Sequence, residues 1–160
     1  MPIKKYILQF IEDLNIKYKL ENHPPVYTVD ESLVHLNGRH PIKNLLLTDR
    51  KKKLKILVIM SGKPKLDTKK LAKDLDVPKL QFASKEMLMS TLGVESGPVS
   101  LFSLIFEGSK GVRAVIDKTI IEQPEIGFHP NDNSATIFIQ GKSITNIIKK
   151  TGHRYQILEL

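Results

Sequence analysis

Two apolar runs, Ile42 to Thr48 and Leu54 to Met60, flank the segment Asp49-Arg50-Lys51-Lys52-Lys53. Short runs rich in aliphatic and β-branched residues on either side of a polar turn read as strands joined in a hairpin. The pairing commits the middle of the chain to a β-sheet, and its turn carries four cationic residues. The segments on either side read as the helices and further strands that accompany it.

Apolar side chains at Ile3, Tyr6, Ile7, Phe10, Ile11 and Leu14 have helical spacing with one buried face. His23-Pro24-Pro25 breaks any helix and forces an extended lead-in to Val26–Val29. Asp30 is positioned to cap a short helix through about Asn37, stopped by Gly38. Asp67 caps a helix that buries Leu71 and Leu75 and ends before Pro78. Ser84 caps another, with Met87, Leu88 and Leu92 inward and Gly93 just past its end. Leu101 to Phe106 and Val112 to Asp117 read as strands, as does Ser134 to Gln140. Ser143 caps a helix with Ile144, Ile147 and Ile148 on one face, ended by Gly152, and Tyr155 to Leu158 forms a last strand. The reading is one α+β domain over residues 1–160, with a mixed or mainly antiparallel sheet and surrounding helices.

The composition removes several kinds of chemistry. A chain of 160 residues with 41% hydrophobic and 26% charged residues is that of a soluble globular domain. With no cysteine there is no thiolate nucleophile, disulfide or Cys-based zinc site. The five histidines (His23, His35, His40, His129, His153) lack metal-ligand spacing, and no Gly-x-Gly-x-x-Gly, Walker or Gly-x-Ser-x-Gly motif is present. No metal or cofactor is expected. No apolar run approaches the roughly 20 residues of a membrane span. Glu12, Asp13 and Asn15 interrupt the N-terminus too early for a secretory signal, so the expected location is cytoplasmic. A hydrolase here would work without a metal or a protein nucleophile.

The net charge of +8 is concentrated in Arg50 to Lys53 with Lys55, in Lys63 to Lys73, and in Lys149-Lys150 with Arg154. Such clusters suit a polyanionic partner, of which nucleic acid is the commonest. Against this background Gly127-Phe128-His129-Pro130-Asn131-Asp132-Asn133 stands out, because it runs directly into an alternating strand. Read alone, it is first of all a turn made by Asn and Asp with a packed histidine. Three other segments also exceed their structural duties. His23-Pro24-Pro25 is rigid and extended. Lys43-Asn44 enters an otherwise apolar strand, where a lysine is costly unless paired or solvated. Leu92-Gly93-Val94-Glu95-Ser96-Gly97-Pro98 has the glycines to turn backbone N–H groups outward, as an oxyanion site needs.

In this order and spacing, His23-Pro24-Pro25, Lys43-Asn44-Leu45, Phe82-Ala83-Ser84, Leu92-Gly93-Val94 with Gly97, and Phe128-His129-Pro130-Asn131 with Asn133 resemble the YbaK/ProX family of aminoacyl-tRNA editing domains. The likeness is greatest to its free-standing ProX (PrdX-type) prolyl-tRNA deacylases and covers nearly the whole chain. It implies a barrel-like α+β fold and a trans-acting deacylase of mischarged tRNA(Pro), chiefly alanyl-tRNA(Pro). Cysteinyl-tRNA(Pro), another small aminoacyl ester, or a non-catalytic tRNA- or synthetase-binding module are the alternatives. It further implies Lys43, Gly97 and His129 as the catalytic set, with Asn44, Pro98, Ser100, Phe128 and Asn131 at the substrate. Asn131 and Asn133 are expected mainly to shape the turn. Arg50, Lys51, Lys52, Lys53, Lys69 and Lys70 are assigned to tRNA, and prolyl-tRNA synthetase is a further partner to test. Ile42, Leu45, Val29 and Met60 are the candidate apolar walls. The chain departs from the family at Leu101, where proline is usual.

Overall fold

A computed structural model of the chain describes residues 3–26, 35–62, 64–95 and 99–160. The hairpin forms as expected from β2 (Ile42–Asp49) and β3 (Lys55–Ser61), in register from Ile42↔Ser61 to Thr48↔Lys55. Side chains alternate across it. Leu46, Leu57 and Ile59 join the larger core cluster, whereas Leu47, Ile56, Val58 and Met60 join a second one beneath α2 (Thr68–Leu75). Burial on both faces explains the apolar runs Leu45–Leu47 and Ile56–Met60. β4 (Leu80–Phe82) pairs with the free side of β2. On the other side β5 (Arg113–Asp117) lies parallel to β3, and β8 (Tyr155–Leu158) lies parallel to β5. The order is β4-β2-β3-β5-β8, a mixed sheet.

A second sheet has the order β1-β7-β6, all antiparallel, from β1 (Lys19–Asn22), β6 (Ile126–Phe128) and β7 (Ala135–Ile139). Ile137 and Ile139 point into the larger core with Ile126 and Phe128, so Thr136 and Phe138 occupy the opposite face. The helices are α1 (Ile3–Asp13), which buries Ile7 and Ile11, then α2, α3 (Lys85–Leu92), the short α4 (Lys118–Ile121) and α5 (Ile144–Thr151). Asp67 and Ser84 cap α2 and α3 through their side chains, and Gly93 adopts the left-handed conformation at the end of α3.

Three expectations change. The described strands make two separate sheets and no closed barrel, with β4 and β8 left as edges of the larger one. Leu101–Ile105 is a 3-10 helix rather than a strand: Ser100 Oγ accepts from Phe102 N and Ser103 Oγ accepts from Ser100 N, a reciprocal cap that winds the segment. Ser143 gives α5 no side-chain cap, because it sits within a preceding 3-10 turn. The expected helix from Asp30 lies mostly outside the described residues.

Gly127 links this fold to the site. It opposes Phe138 across the small sheet, and a Cβ there would stand 2.7 Å from both Phe138 Cε1 and Thr136 Cγ2. Glycine leaves the space in which these two side chains lie flat on the sheet. Gly127→Ala is therefore expected to destabilise the protein by about 1–3 kcal/mol through overpacking. Urea denaturation would check this, and an unchanged midpoint would show that the two side chains move aside without cost.

Candidate active site

The end of the β2–β3 hairpin away from its turn meets the Thr136 face of the small sheet, and a cavity of about 120 Å³ lies between them. Its wall includes Ile42, Lys43 and Asn44 from the large sheet and Phe128, His129 and Thr136 from the small one. His23 and His35 close it. The volume is well under the roughly 300–1,000 Å³ of pockets that enclose a whole drug-sized ligand. It is too small to enclose an entire nucleotide.

Each polar group in the wall has a defined state. The Lys43 ammonium donates to the Pro64 carbonyl, which ties it to the loop after β3. Its partial burial pulls its pKa below the ordinary lysine value. Asn44 Oδ1 is buried without a hydrogen-bond partner among the described residues. A buried acceptor without a donor costs ~1–3 kcal/mol, so this oxygen calls for a donor from water or from a ligand. His129 Nδ1 lies 2.9 Å from the Ala135 carbonyl. A carbonyl only accepts, so Nδ1 carries the proton and Nε2 is left as an acceptor. By the same logic His23 donates from Nδ1 to Pro24 O at 2.9 Å and accepts at Nε2 from the Thr136 hydroxyl at 2.8 Å. His23 stacks on His35 with centroids 4.6 Å apart and meets His129 edge-on at 6.2 Å. Burial lowers the pKa of His129; the bond to Ala135 opposes that shift and nearby His23 adds to it.

Arg39 holds the two sides of the cavity together. Its guanidinium carbon is 3.8 Å from the Phe138 ring centroid, and it pairs with Glu21 at 2.6 Å and Glu125 at 3.1 Å. The segment from His35 to Ile42, which supplies one rim, is thus bolted to the small sheet that supplies the other. The planar guanidinium suits this work because one face stacks while the edges reach two carboxylates.

Of the catalytic set expected from sequence, Lys43 and His129 line the cavity and Gly97 lies outside the described residues. At the substrate, Asn44 and Phe128 line it, Pro98 lies outside the described residues, and Ser100 and Asn131 do not reach it. Ser100 is fully buried as the cap of the 3-10 helix; Asn131, with φ of 56°, holds the turn and accepts from Ser103 Oγ at 3.1 Å. Asn133 Nδ2 bonds the Val26 carbonyl at 3.2 Å, a turn-shaping role. Of the four apolar walls only Ile42 is found there: Met60 and Leu45 face the second core cluster, and Val29 is outside the described residues. Leu101 is wholly buried in the larger core, so the family departure falls on packing rather than on the cavity wall. Arg50 to Lys53 occupy the far end of the hairpin. Lys69 is exposed on α2, whereas Lys70 pairs with Asp74 at 2.8 Å. Sequence reading missed Arg39, His35 and Thr136, whose partners are remote in the chain.

Lys43, Asn44 and His129 thus meet in one small cavity between the two sheets. Residues 23–147 match the aminoacyl-tRNA editing domain family, and the chain belongs to it. It is 33% identical over 162 aligned residues to the prolyl-tRNA editing protein ProX of Acetoanaerobium sticklandii, covering 100% of this chain and 99% of that one. It is 29% identical to prolyl-tRNA synthetase associated domain-containing protein 1 of Danio rerio, covering 99% and 88%. A crystal structure described as a candidate trans-editing enzyme for prolyl-tRNA synthetase superposes with a TM-score of 0.74 at 20% identity over 100% of this chain and 98% of that one; it shares the fold. Among the described residues no helix is long and apolar enough to cross a membrane.

Two measurements check this geometry. Because the fold favours neutral His129, the unfolded chain takes up that proton more readily. The resulting stability is fully present above about pH 6.5 and is lost as pH falls toward the lower folded value. Urea titrations between pH 7.5 and 5 should show a loss that is smaller in His129→Gln; identical profiles would contradict a buried neutral ring. Arg39→Met should cost about 1–3 kcal/mol, since the pairs are only partly shielded from water, and Arg39→Lys should recover a fraction of it. Full recovery with lysine would show that charge alone matters there.

Proposed function

We propose that the protein is a trans-acting aminoacyl-tRNA deacylase that hydrolyses mischarged tRNA(Pro), chiefly alanyl-tRNA(Pro). The observation that carries this reading is the meeting of Lys43, Asn44 and His129 around a cavity sized for a small acyl group. Family membership and the 33% identity to a prolyl-tRNA editing protein support it.

An aminoacyl ester is already activated, so the site has to admit a water, orient the carbonyl and stabilise charge on its oxygen. The attacking water forms the new C–O bond, the ester C–O bond to the ribose breaks, and the departing ribose oxygen takes up a proton. The Lys43 ammonium is the cation available to the ester oxygens or to the terminal phosphate; as a compact charge it needs no bidentate geometry. Asn44 Oδ1 and His129 Nε2 are acceptors suited to the α-ammonium of the amino acid. The loop containing Gly97 and Pro98 is assigned to the oxyanion on the strength of its sequence; a well-placed donor of that kind contributes about 3 kcal/mol. No protein nucleophile is invoked, and the adjacent ribose 2′-hydroxyl assists the water.

Specificity follows from size. A synthetic site built for proline rejects alanine weakly, because missing methylenes are worth only about 1–3 kcal/mol. A second, smaller pocket removes the error and excludes proline. The exposed cations Arg50, Lys51, Lys52, Lys53 and Lys69 are assigned to tRNA phosphates, which dominate affinity for nucleic acid. Lys70, already paired to Asp74, has the weaker claim.

Time courses with alanyl-, cysteinyl- and prolyl-tRNA(Pro) test the proposal. Alanyl-tRNA(Pro) should be cleaved fastest, and Lys43→Ala should lose roughly 10²–10³-fold in rate with its fold intact. Alanyl ester on 2′-deoxy-ended tRNA should be cleaved far more slowly. Binding of tRNA without turnover of any ester would instead make the protein a non-catalytic module.

A further inference from the structure

β2 and β3 are antiparallel, while β5 and β8 run parallel to β3. The turn after β2 therefore shares one end of the sheet with the starts of β3, β5 and β8. That end gathers cations that are scattered in the sequence. Arg50 to Lys53 form the turn, Arg113 opens β5 and Arg154 immediately precedes β8. α5 descends to the same end with Lys149 and Lys150 in its last turn. All are exposed except Arg113, which is half-buried. A shallow groove between Arg113, Arg154 and Tyr155 runs along this end.

Few carboxylates offset this charge. Asp49 lies within the turn but points inward, 5% exposed, accepting from Lys53 N at 2.8 Å and Leu54 N at 2.9 Å. The exposed acids Asp76 and Glu107 stand at the flanks. Such a concentration of one sign is self-repelling in isolation and is relieved by a polyanion. It is also remote from the cavity. Arg50 follows Lys43 by seven residues of extended chain, about 23 Å at the rise of a strand. A small anion would touch one end of the sheet only, whereas RNA carries phosphates along its length and reaches both.

We infer that this end of the large sheet is a second docking surface, which grips the sugar–phosphate backbone of the tRNA while its acylated end occupies the cavity. The inference rests on the deacylase reading above and extends it from the acyl group to the body of the RNA. It unites Arg113, Lys149, Lys150 and Arg154 with the hairpin turn as one surface. Its contribution is sequence-independent and salt-dependent, as phosphate contacts are.

The test uses binding rather than turnover. Uncharged tRNA(Pro) transcript, and the trinucleotide of its CCA end, are titrated against wild type across a salt series. The same titrations are made with two variants, Lys51→Glu/Lys52→Glu and Lys149→Glu/Lys150→Glu, and thermal melts establish that each is folded. For the full transcript, the slope of log K against log salt should become shallower by about 2 in each variant. Binding of the trinucleotide, too short to reach that end, should not change. Wild-type affinity of both variants for the full transcript, or an equal loss with the trinucleotide, would overturn the inference. So would dependence on the same lysines for binding phosphatidylserine vesicles with none for tRNA. Failure of the deacylase reading looks different: wild type would bind tRNA and hydrolyse no ester.

Discussion

One guanidinium joins the two sheets where the cavity opens. Arg39 stacks on Phe138, pairs with Glu21 and Glu125, and so fixes the segment that carries His35 and leads through Pro41 into β2. Without that contact the small sheet would still pack its isoleucines on the core, but Phe138 on its outer face would lose the guanidinium stacked over it. The cavity is a product of this arrangement: one wall is the end of the hairpin away from its turn, the other the Thr136 face of a three-stranded sheet. Gly127 belongs to the same device, since its missing side chain lets Phe138 lie where Arg39 can reach it.

The site's chemistry follows from which groups are satisfied by the protein and which are left for a ligand. His23 is saturated by Pro24 and Thr136, so it stiffens the wall. Among the described residues, His129 has one nitrogen committed to Ala135 and no partner at the other, and Asn44 Oδ1 has none. The Lys43 ammonium is anchored by a neutral carbonyl rather than a carboxylate, so its charge is not cancelled. Two open acceptors and one uncompensated cation match an α-amino ester, whose ammonium donates and whose carbonyl oxygen accepts. Thr136, the one hydroxyl among the described wall residues, is committed to His23, which leaves placement and charge stabilisation as the work of the others.

Much of this was legible in the sequence, and the exceptions have physical causes. The hairpin could be read because the centres of β2 and β3 are buried on both faces and leave an apolar signature that only Lys43-Asn44 interrupts. α2 and α3 could be read because Asp67 and Ser84 are true side-chain caps. Leu101 to Ile105 could not: a five-residue apolar run between turn signals looks alike as a strand or as a buried 3-10 helix, and only the Ser100–Ser103 exchange decides. β1, β4 and β6 are three or four residues long and leave too little periodicity to detect. At the site, Lys43 and Asn44 were visible as polar residues in an otherwise apolar strand, whereas His129, read alone as a turn histidine, entered through the family resemblance. Thr136 and Arg39 were not, because the first matters only beside His23, 113 positions away, and the second only over a ring on another sheet.

The claim on which all else rests is that this cavity receives the aminoacyl group. A stable mimic, alanine joined by an amide to 3′-amino-3′-deoxyadenosine, can be titrated into the protein while side-chain NMR signals are followed. Saturable shifts are predicted for the His129 ring and the Asn44 side-chain amide, with smaller ones for His23 and His35, and the prolyl counterpart should produce them only at much higher concentration. Shifts confined to another surface, or equal responses to alanyl and prolyl mimics, would contradict the account.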